Sequence, residues 1–190
     1  AAVYVLDKDE AALRSLIDAL DAEGHSVDGT VVDVMDEPGF TSAFAAMLAG
    51  FGNRLDVMIH IAGASRGGLL ANQTTDDWDW HYQVNLRSHI IGCKLASKVM
   101  SEQGSGAIIT MSSISGQRGD PGWAGYNAMK AAIMNFTQSL AWEVGRKGVR
   151  VNAVCPGPVM SQRMLNSIED DPGMVESYAA KTALGRLVDP

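Results

Sequence analysis

The chain has 190 residues, of which 46% are hydrophobic and 19% are charged. These proportions are typical of one globular domain with a sizeable core, and they exclude an intrinsically disordered chain. Fifteen Lys and Arg against 22 Asp and Glu give a net charge of −7, which argues against a nucleic-acid partner because phosphate backbones bind basic surfaces. No run approaches the roughly 18 apolar residues of a membrane span, so no membrane partner is expected.

The chain has only two cysteines, Cys93 and Cys155, and neither belongs to a CxxC pair. Disulfide bonds and structural zinc therefore have no framework, and a reducing, cytoplasmic location fits this composition. The four histidines show no metal-ligand spacing, so no metal site is predicted.

Apolar, β-rich runs alternate with stretches of helical periodicity along the chain. The predicted strands are, in chain order, Val3–Leu6, Thr30–Val34, Asp56–Ile61, Ala107–Ser112 and Val149–Val154. The predicted helices are one that carries Leu13, Leu16, Ile17 and Leu20, then Pro38–Phe51, Asp76–Met100 and Gly122–Val144. Short strands separated by helices indicate βαβ units, hence an α/β fold with a parallel sheet. Ligand sites in such sheets lie beyond the carboxyl ends of the strands.

Tyr126 and Lys130 lie four residues apart near the start of a predicted helix, so their side chains project from one face. An ammonium group beside a phenol favours the phenolate form, which is what a general acid–base catalyst needs. Taken alone, the pair has a simpler interpretation, a tyrosine and a lysine that share a solvated helix edge.

Two further polar residues accompany this pair. Ser113 follows the fourth predicted strand, 13 residues before Tyr126. Asn85 lies 28 residues before Ser113, within a predicted helix where asparagine is a poor helix former. Asn85, Ser113 and the run Tyr126-Asn127-Ala128-Met129-Lys130, at these spacings, resemble the catalytic tetrad of the short-chain dehydrogenases/reductases.

Other landmarks of that family follow in the same order along the chain. Asp33-Val34 resembles the acidic–apolar pair that brackets the adenine ring, and Ala62-Gly63 resembles the end of the family's Asn-Asn-Ala-Gly motif. Pro156-Gly157 with Ser161 resembles the segment that lines the nicotinamide and phosphates, where Val159 would offer backbone groups to the carboxamide. The resemblance implies a Rossmann-like doubly wound parallel sheet, with residues 1–190 forming one domain that contains the substrate site.

The resemblance also implies a role for each member of the tetrad. Hydride would pass between the nicotinamide and a carbinol or carbonyl carbon while Tyr126 takes or gives the proton of the oxygen. Ser113 would hold that oxygen, Lys130 would bind the nicotinamide ribose, and Asn85 would hold a water that links Lys130 to solvent. The implied activity is that of an NAD(P)-dependent oxidoreductase acting on a secondary alcohol or ketone.

Asp7 ends the first predicted strand, where dinucleotide-binding folds place an acid on the adenosine ribose hydroxyls. Its charge would repel the 2′-phosphate of NADP, which favours NAD as the cofactor. The other interpretation is that Asp7 caps the following helix. The neighbouring Lys8 leaves open an NADP-dependent ketoreductase, including one that acts on a 3-oxoacyl thioester.

The chain departs from the family pattern at His60-Ile61, where the family usually has two asparagines whose amides bond to the backbone and steady the central sheet. His60 is expected to do part of this as a satisfied sheet histidine rather than a catalytic one, whereas Ile61 cannot.

The family's glycine-rich cofactor turn does not occur in these residues and is expected N-terminal to Val3, with a strand between Val3–Leu6 and Asp56–Ile61. Gly185-Arg186-Leu187 resembles the segment just before a further helix and strand. We therefore expect a portion of a longer domain that lacks the first βα unit and the last helix and strand. The missing turn also leaves a non-catalytic binding or scaffold protein as an alternative.

The substrate pocket is expected to be walled by Ala64–Leu69, Ser115–Trp123 and Met160–Tyr178. No charge cluster in these stretches indicates a carboxylate or phosphate group, so the predicted substrate is a moderately apolar secondary alcohol or ketone. By resemblance, the helices that bear Asn85 and Tyr126 would assemble a homotetramer or homodimer.

Overall fold

The computed structural model describes residues 1–170 and 173–190, in which parallel strands alternate with helices. The strands are β1 (Ala2–Asp7), β2 (Ser26–Val31), β3 (Val57–His60), β4 (Gly106–Met111) and β5 (Val149–Val154). The helices are α1 (Glu10–Ala22), α2 (Glu37–Gly50), α3 (Thr75–His81), α4 (Ser88–Gln103), α5 (Ala124–Val144), α6 (Gln162–Asp170) and α7 (Met174–Ala179). This alternation confirms the predicted Rossmann-like α/β fold.

The strands form two parallel sheets, one of order β1-β2 and one of order β3-β4-β5. Within the described residues, neither the edge of β1 away from β2 nor the edge of β3 away from β4 has a strand partner. The predicted doubly wound order places one further strand between these two edges. The side chains of Val57 and Ile59 in β3 are 53% and 54% exposed.

The second strand differs most from its predicted bounds. Thr30–Val34 is predicted, whereas the strand begins at Ser26, ends at Val31 and pairs with β1 along its whole length. The glycine in the middle of this run favours a turn by composition, yet α1 packs closely against the strand there. A Cβ on Gly29 would lie 2.7 Å from the carbonyl oxygen of Val5 and 2.9 Å from the side chain of Leu13. The close approach of both β1 and α1 therefore requires glycine within the strand.

The predicted continuous helix Asp76–Met100 is interrupted. A π-helical segment, Tyr82–Arg87, joins α3 to α4, and its backbone hydrogen bonds span five residues instead of four. The helix then ends as predicted at Gly104, which takes the left-handed conformation with φ of 76°. Only the interruption escaped the sequence pattern, because hydrophobic spacing does not distinguish a single π turn from an α turn.

The main hydrophobic cluster lies between α2, α4, α5 and strands β4 and β5. Its buried members include Phe44, Met47, Cys93, Ala96, Met100, Ile108, Leu140, Val144, Val149 and Val151. This packing fixes α4 and α5 against β4 and β5, and these elements carry most of the predicted tetrad.

The turn after β4, Ile114–Gly116, rests directly on the backbone of α5. A Cβ on Gly116 would lie 2.7 Å from the carbonyl carbon of Lys130 and 2.9 Å from the nitrogen of Ala131. Beside it, the Ser112 hydroxyl donates a hydrogen bond of 2.7 Å to the carbonyl oxygen of Lys130. The turn that carries Ser113 is thus held in place against the helix that carries Tyr126 and Lys130.

We expect Gly116→Ala to reduce the free energy of unfolding by about 1–3 kcal/mol, because the added methyl group must push helix backbone aside. Gly119→Ala is the matched control, since a Cβ there meets nothing within 4 Å. Its effect should be close to zero or slightly stabilising. Urea denaturation of both variants measures the difference, and equal stability of the two would contradict the close approach.

Candidate active site

Lys130 is buried and lies one helical turn after Tyr126 in α5. Its side chain is 3% exposed, Nζ donates a hydrogen bond of 2.8 Å to the carbonyl oxygen of Met111, and Nζ lies 5.6 Å from the centre of the Tyr126 ring. Among the ion pairs of the described residues, none involves Lys130. Burial lowers the pKa of Lys130 to about 8, and the nearby Cys155 opposes this lowering. The site therefore holds a buried amine without a carboxylate partner.

Asn85 lies in the π-helical segment and is fully buried. Its Nδ2 donates to the carbonyl oxygens of Ala64, at 2.8 Å, and His81, at 3.2 Å. Its Oδ1 accepts from the backbone nitrogen of Ala64 at 3.1 Å. The amide thus binds both main-chain groups of one residue in the loop after β3. The asparagine that fits a helix poorly occupies the turn where the helix widens.

The loop after β3 approaches both side chains closely. A Cβ on Gly63 would lie 3.0 Å from Oδ1 of Asn85 and 3.1 Å from Nζ of Lys130. The predicted Ala62-Gly63 landmark therefore meets two members of the tetrad, and a larger residue at 63 would displace them.

Ser113 begins the turn that rests on α5, and it is partly buried. Its hydroxyl oxygen accepts a hydrogen bond of 3.1 Å from the backbone nitrogen of Ser115. The next residue joins this turn to the loop after β5, because the backbone nitrogen of Ile114 donates to the carbonyl oxygen of Pro156 at 3.0 Å. The loops after β3, β4 and β5 thus meet around the start of α5.

The same loop after β3 is fastened at two further points. Nε2 of His81 lies 3.2 Å from the carbonyl oxygen of Arg66, and the backbone nitrogen of Gly68 donates to the carbonyl oxygen of Gly122 at 2.8 Å. A Cβ on Gly67 would lie 3.3 Å from the Trp123 ring. Two of the three predicted substrate walls, Ala64–Leu69 and Ser115–Trp123, are therefore in contact.

The third predicted wall, Met160–Tyr178, includes residues 171 and 172, which lie outside the described residues. Ser161 directly precedes α6, and its hydroxyl oxygen accepts from the backbone nitrogen of Met164 at 3.4 Å. Val159 forms an isolated parallel bridge with Val188. In that bridge the backbone nitrogen of Met160 donates to the carbonyl oxygen of Val188, and that of Val188 donates to the carbonyl oxygen of Pro158. The carbonyl oxygen of Val159 accepts from the backbone nitrogen of Ser161 at 2.8 Å.

Asp7 and Asp33 lie at the carboxyl ends of β1 and β2. Oδ1 of Asp7 accepts from the backbone nitrogen of Asp9 at 2.9 Å, and Asp9 is the residue whose side chain caps α1. The interpretation of Asp7 as the helix cap is therefore wrong. Lys8 lies with Nζ 3.9 Å from Oδ2 of Asp33, in an exposed pair. Val34 directly follows Asp33 in the chain. Pro156 and Gly157 lie in the loop after β5.

His60 is buried, and its Nε2 lies 3.2 Å from the Ser88 hydroxyl oxygen. Burial, with the charge of Lys130 as a smaller cause, lowers the pKa of His60 to about 4, so the ring is neutral. The histidine therefore bonds to a side chain, not to the backbone as the family's asparagines do. Ile61 is 63% exposed.

Three positions that hold the site together escaped the sequence reasoning. Gly116 could have been found from its position, three residues after Ser113. His81 could also have been found, since it precedes Asn85 by one helical turn on the same face. His89, which accepts from the backbone nitrogen of Met111 at 3.4 Å, has no signal in the pattern because its partner is remote in the chain.

Within residues 1–170 and 173–190, no three His, Cys, Asp or Glu side chains cluster in a way that could hold a metal ion. In the same residues no helix is both long enough and apolar enough to cross a bilayer.

We expect Lys130→Met to raise the free energy of unfolding at pH 7 by about 1–3 kcal/mol, because it removes the cost of burying a charge. The pKa of Lys130 is lowered in the folded state, so the unfolded chain holds more protons between pH 8 and 10.5 and wild-type stability rises across this range. The advantage of the variant should therefore shrink as the pH rises. Denaturation at pH 7 and pH 10 tests this, and a variant less stable than wild type at pH 7 would contradict it.

Known proteins resemble this chain along its whole length. A family model described as enoyl-(acyl carrier protein) reductase matches residues 1–190. The short-chain reductase protein NovJ of Streptomyces niveus is 36% identical over 193 residues, which cover 100% of this chain and 73% of NovJ. The oxidoreductase UcpA of Escherichia coli O157:H7 is 34% identical over 184 residues, which cover 94% of this chain and 70% of UcpA.

The fold agrees with these sequence matches. The crystal structure of gox2181 superimposes with a TM-score of 0.93 at 29% identity, covering 100% of this chain and 74% of that one. The order of the strands and loops around Lys130 and Asn85, the matching family model and the relatives all agree: the chain belongs to the short-chain dehydrogenase/reductase family of oxidoreductases.

Proposed function

We propose that the protein is an NAD(H)-dependent alcohol dehydrogenase or carbonyl reductase that interconverts a secondary alcohol and a ketone, with Tyr126 as general acid–base. The observation that carries this proposal is the buried Lys130 ammonium, which lies beside the Tyr126 ring and has no ion pair among the described residues. A buried cation without a counter-ion is costly unless it serves a ligand or a neighbouring anion.

Each tetrad residue has a separate task in this proposal. Tyr126 takes the proton from the alcohol oxygen, or returns it to the carbonyl oxygen, and the charge of Lys130 stabilises the phenolate between these events. Ser113 donates a hydrogen bond to the same oxygen and so fixes the reacting carbon. Asn85 holds a water that connects Lys130 with solvent.

The residues present fit a nicotinamide cofactor. The close approach of Gly63 to Asn85 and Lys130 makes a cradle that a Cβ would fill, and the ammonium of Lys130 is suited to ribose hydroxyls. When bound, NAD(H) supplies or accepts the hydride. The residues proposed to hold it, besides Tyr126 and Lys130, are Asp7, Asp33, Val34, Ala62, Gly63, Pro156, Gly157, Val159 and Ser161. The substrate site belongs to the same domain.

NAD is proposed over NADP because of Asp7. Its carboxylate lies at the end of β1, does not cap α1 and would repel a 2′-phosphate. Lys8, the residue able to offset this charge, lies beside Asp33 instead. Two related structures contain the phosphorylated cofactor instead: that of an actinorhodin polyketide ketoreductase, 30% identical, contains NADPH, and that of a gluconate 5-dehydrogenase from Burkholderia cenocepacia, 25% identical, contains NADP.

The relatives support two substrate classes. The cyclopentanol dehydrogenase of Comamonas testosteroni is 30% identical to this chain, and the 3-oxoacyl-[acyl-carrier-protein] reductase FabG of Chlamydia muridarum is 32% identical. Each predicted wall holds a single arginine and no lysine, which favours an uncharged secondary alcohol or ketone, and an NADP-dependent 3-oxoacyl reductase is the second candidate. A non-catalytic binding or scaffold protein is the third, and the intact tetrad argues against it.

Assembly and location complete the proposal. Trp142 on α5 is 88% exposed, an unusual environment for an indole in a monomer, and we propose that a second copy of the chain covers it in a homotetramer or homodimer. Both cysteines are free, which supports a cytoplasmic location because that compartment keeps thiols reduced.

We expect Tyr126→Phe to lower kcat by at least about 10²-fold while cofactor binding stays within about twofold, since only the proton donor is removed. Tyr82→Phe, at a position 41% exposed, is the matched control and should keep full activity. A panel of secondary alcohols with NAD, read at 340 nm, provides the assay. Turnover retained by the Tyr126 variant would refute the proposed chemistry and leave the binding-protein alternative.

We expect Asp7→Asn to shift the ratio of kcat/KM for NADH to kcat/KM for NADPH about tenfold towards NADPH, because the repulsion of the 2′-phosphate is removed. Asp21→Asn, at the other end of α1, removes the same charge far from the strand end and should leave the ratio unchanged. A wild-type protein that prefers NADPH would show that the argument from Asp7 is wrong.

A further inference from the structure

Strand β4 extends one residue beyond its partner β3. The last pair of the ladder is His60 with Thr110, so Met111 has no partner on the β3 side. The next residue, Ser112, donates its backbone N–H to Val154 of β5 at 2.8 Å, and alternate residues of a parallel strand bond to opposite neighbours. The N–H and C=O of Met111 therefore face the side where β3 has already ended.

Two side chains take the place of the missing strand. Nε2 of His89 accepts from the backbone nitrogen of Met111 at 3.4 Å, and Nζ of Lys130 donates to its carbonyl oxygen at 2.8 Å. The main chain of a single residue thus connects the imidazole on α4 with the buried ammonium on α5. Both bonds lie in the interior, where a lost partner leaves a polar group unsatisfied.

The His89 ring is enclosed by packed side chains. His89 is fully buried, and its ring centre lies 4.0 Å from that of His60, which the Ser88 hydroxyl holds at 3.2 Å. Gly92 makes the room, since a Cβ there would lie 3.0 Å from Nδ1 of His60. Burial lowers the pKa of His89 to about 2, with His60 and Lys130 as further causes, so the ring is neutral. Because Nε2 accepts from Met111, the proton lies on Nδ1, which is buried and has no hydrogen-bond partner among the described residues.

We propose that His89 is a positioning residue for Lys130: it holds the main chain of Met111 so that the Met111 carbonyl fixes the lysine ammonium beside Tyr126. His60 and His89 together thereby steady the end of β4, a task to which Ile61 cannot contribute. The catalytic consequence rests on the proposed function, whereas the contact itself does not.

The tautomer of His89 in the unaltered protein is the first test. Long-range 15N–1H NMR of the four histidine rings should show His89 with its proton on Nδ1, an unprotonated Nε2 and no titration between pH 5 and 8. A proton on Nε2, or protonation of His89 in this range, would overturn the proposal because Nε2 would no longer accept from Met111. This measurement needs no substitution, so it decides the matter even where a variant does not fold.

Paired substitutions provide the second test. His89→Phe keeps a ring but removes the acceptor, and it should speed hydrogen exchange of the Met111 amide at least about tenfold. It should also lower the pKa of Lys130, followed through its side-chain NMR signals, by about one unit, because the buried ammonium loses a held acceptor. His89→Gln, which restores an acceptor, should return both values most of the way to wild type.

Cys93→Ala is the matched control, one helical turn along α4 and equally buried, and it should change neither reading. An unchanged Met111 amide in His89→Phe would overturn the proposal, and so would equal losses in the Phe and Gln variants, which indicate a packing effect. Neither reading uses substrate or cofactor, so a failure of the proposed oxidoreductase activity remains distinct from a failure of this contact.

Discussion

The structure of the site depends on a buried ammonium that has a hydrogen-bond acceptor and no carboxylate partner. Lys130 is 3% exposed and bonds to the carbonyl oxygen of Met111. Burial without a counter-ion lowers its pKa, which is a cost in stability that the fold carries. A carboxylate placed beside it would remove that cost and would also neutralise the charge that is proposed to act on Tyr126. Stability and the proposed chemistry therefore make opposite demands on this position.

The loops around the lysine are held by close backbone contacts more than by large side chains. Gly116 lets the turn after β4 touch the backbone of α5, and Gly63 lets the loop after β3 approach two polar side chains. Asn85 binds the main chain of Ala64 from a turn where the helix widens. Such contacts allow no slack, so they fix the loops after β3 and β4 relative to α5 before any ligand is bound.

The strand edges between the two sheets lack such close contacts within the described residues. Both β1 and β3 have an edge without a strand partner among the described residues, while β4 is paired on both sides. The tetrad residues lie on the well-paired half, around β4, α4 and α5, and the residues proposed for the adenosine end lie on β1 and β2. The chain covers 70–75% of the length of the relatives it matches. The strand that leads to Ser113, β4, thus has both of its strand neighbours within the described residues.

The sequence alone determined the fold class and the order of the strands along the chain, and it predicted the tetrad, because these depend on hydrophobic period and on residue type at fixed spacing. Such patterns report local structure, and they predicted Ser113, Tyr126 and Lys130 at loop and helix starts where the structure places them. The same patterns misjudged β2, since Gly29 reads as a turn until α1 packs against it. Only the tertiary structure decided which side chains serve the end of β4, because His89, Met111 and Lys130 are distant in the chain and meet through the packing of α4 and α5. It also decided that Asp9, rather than Asp7, caps α1, since backbone direction at a strand end is not encoded by residue type.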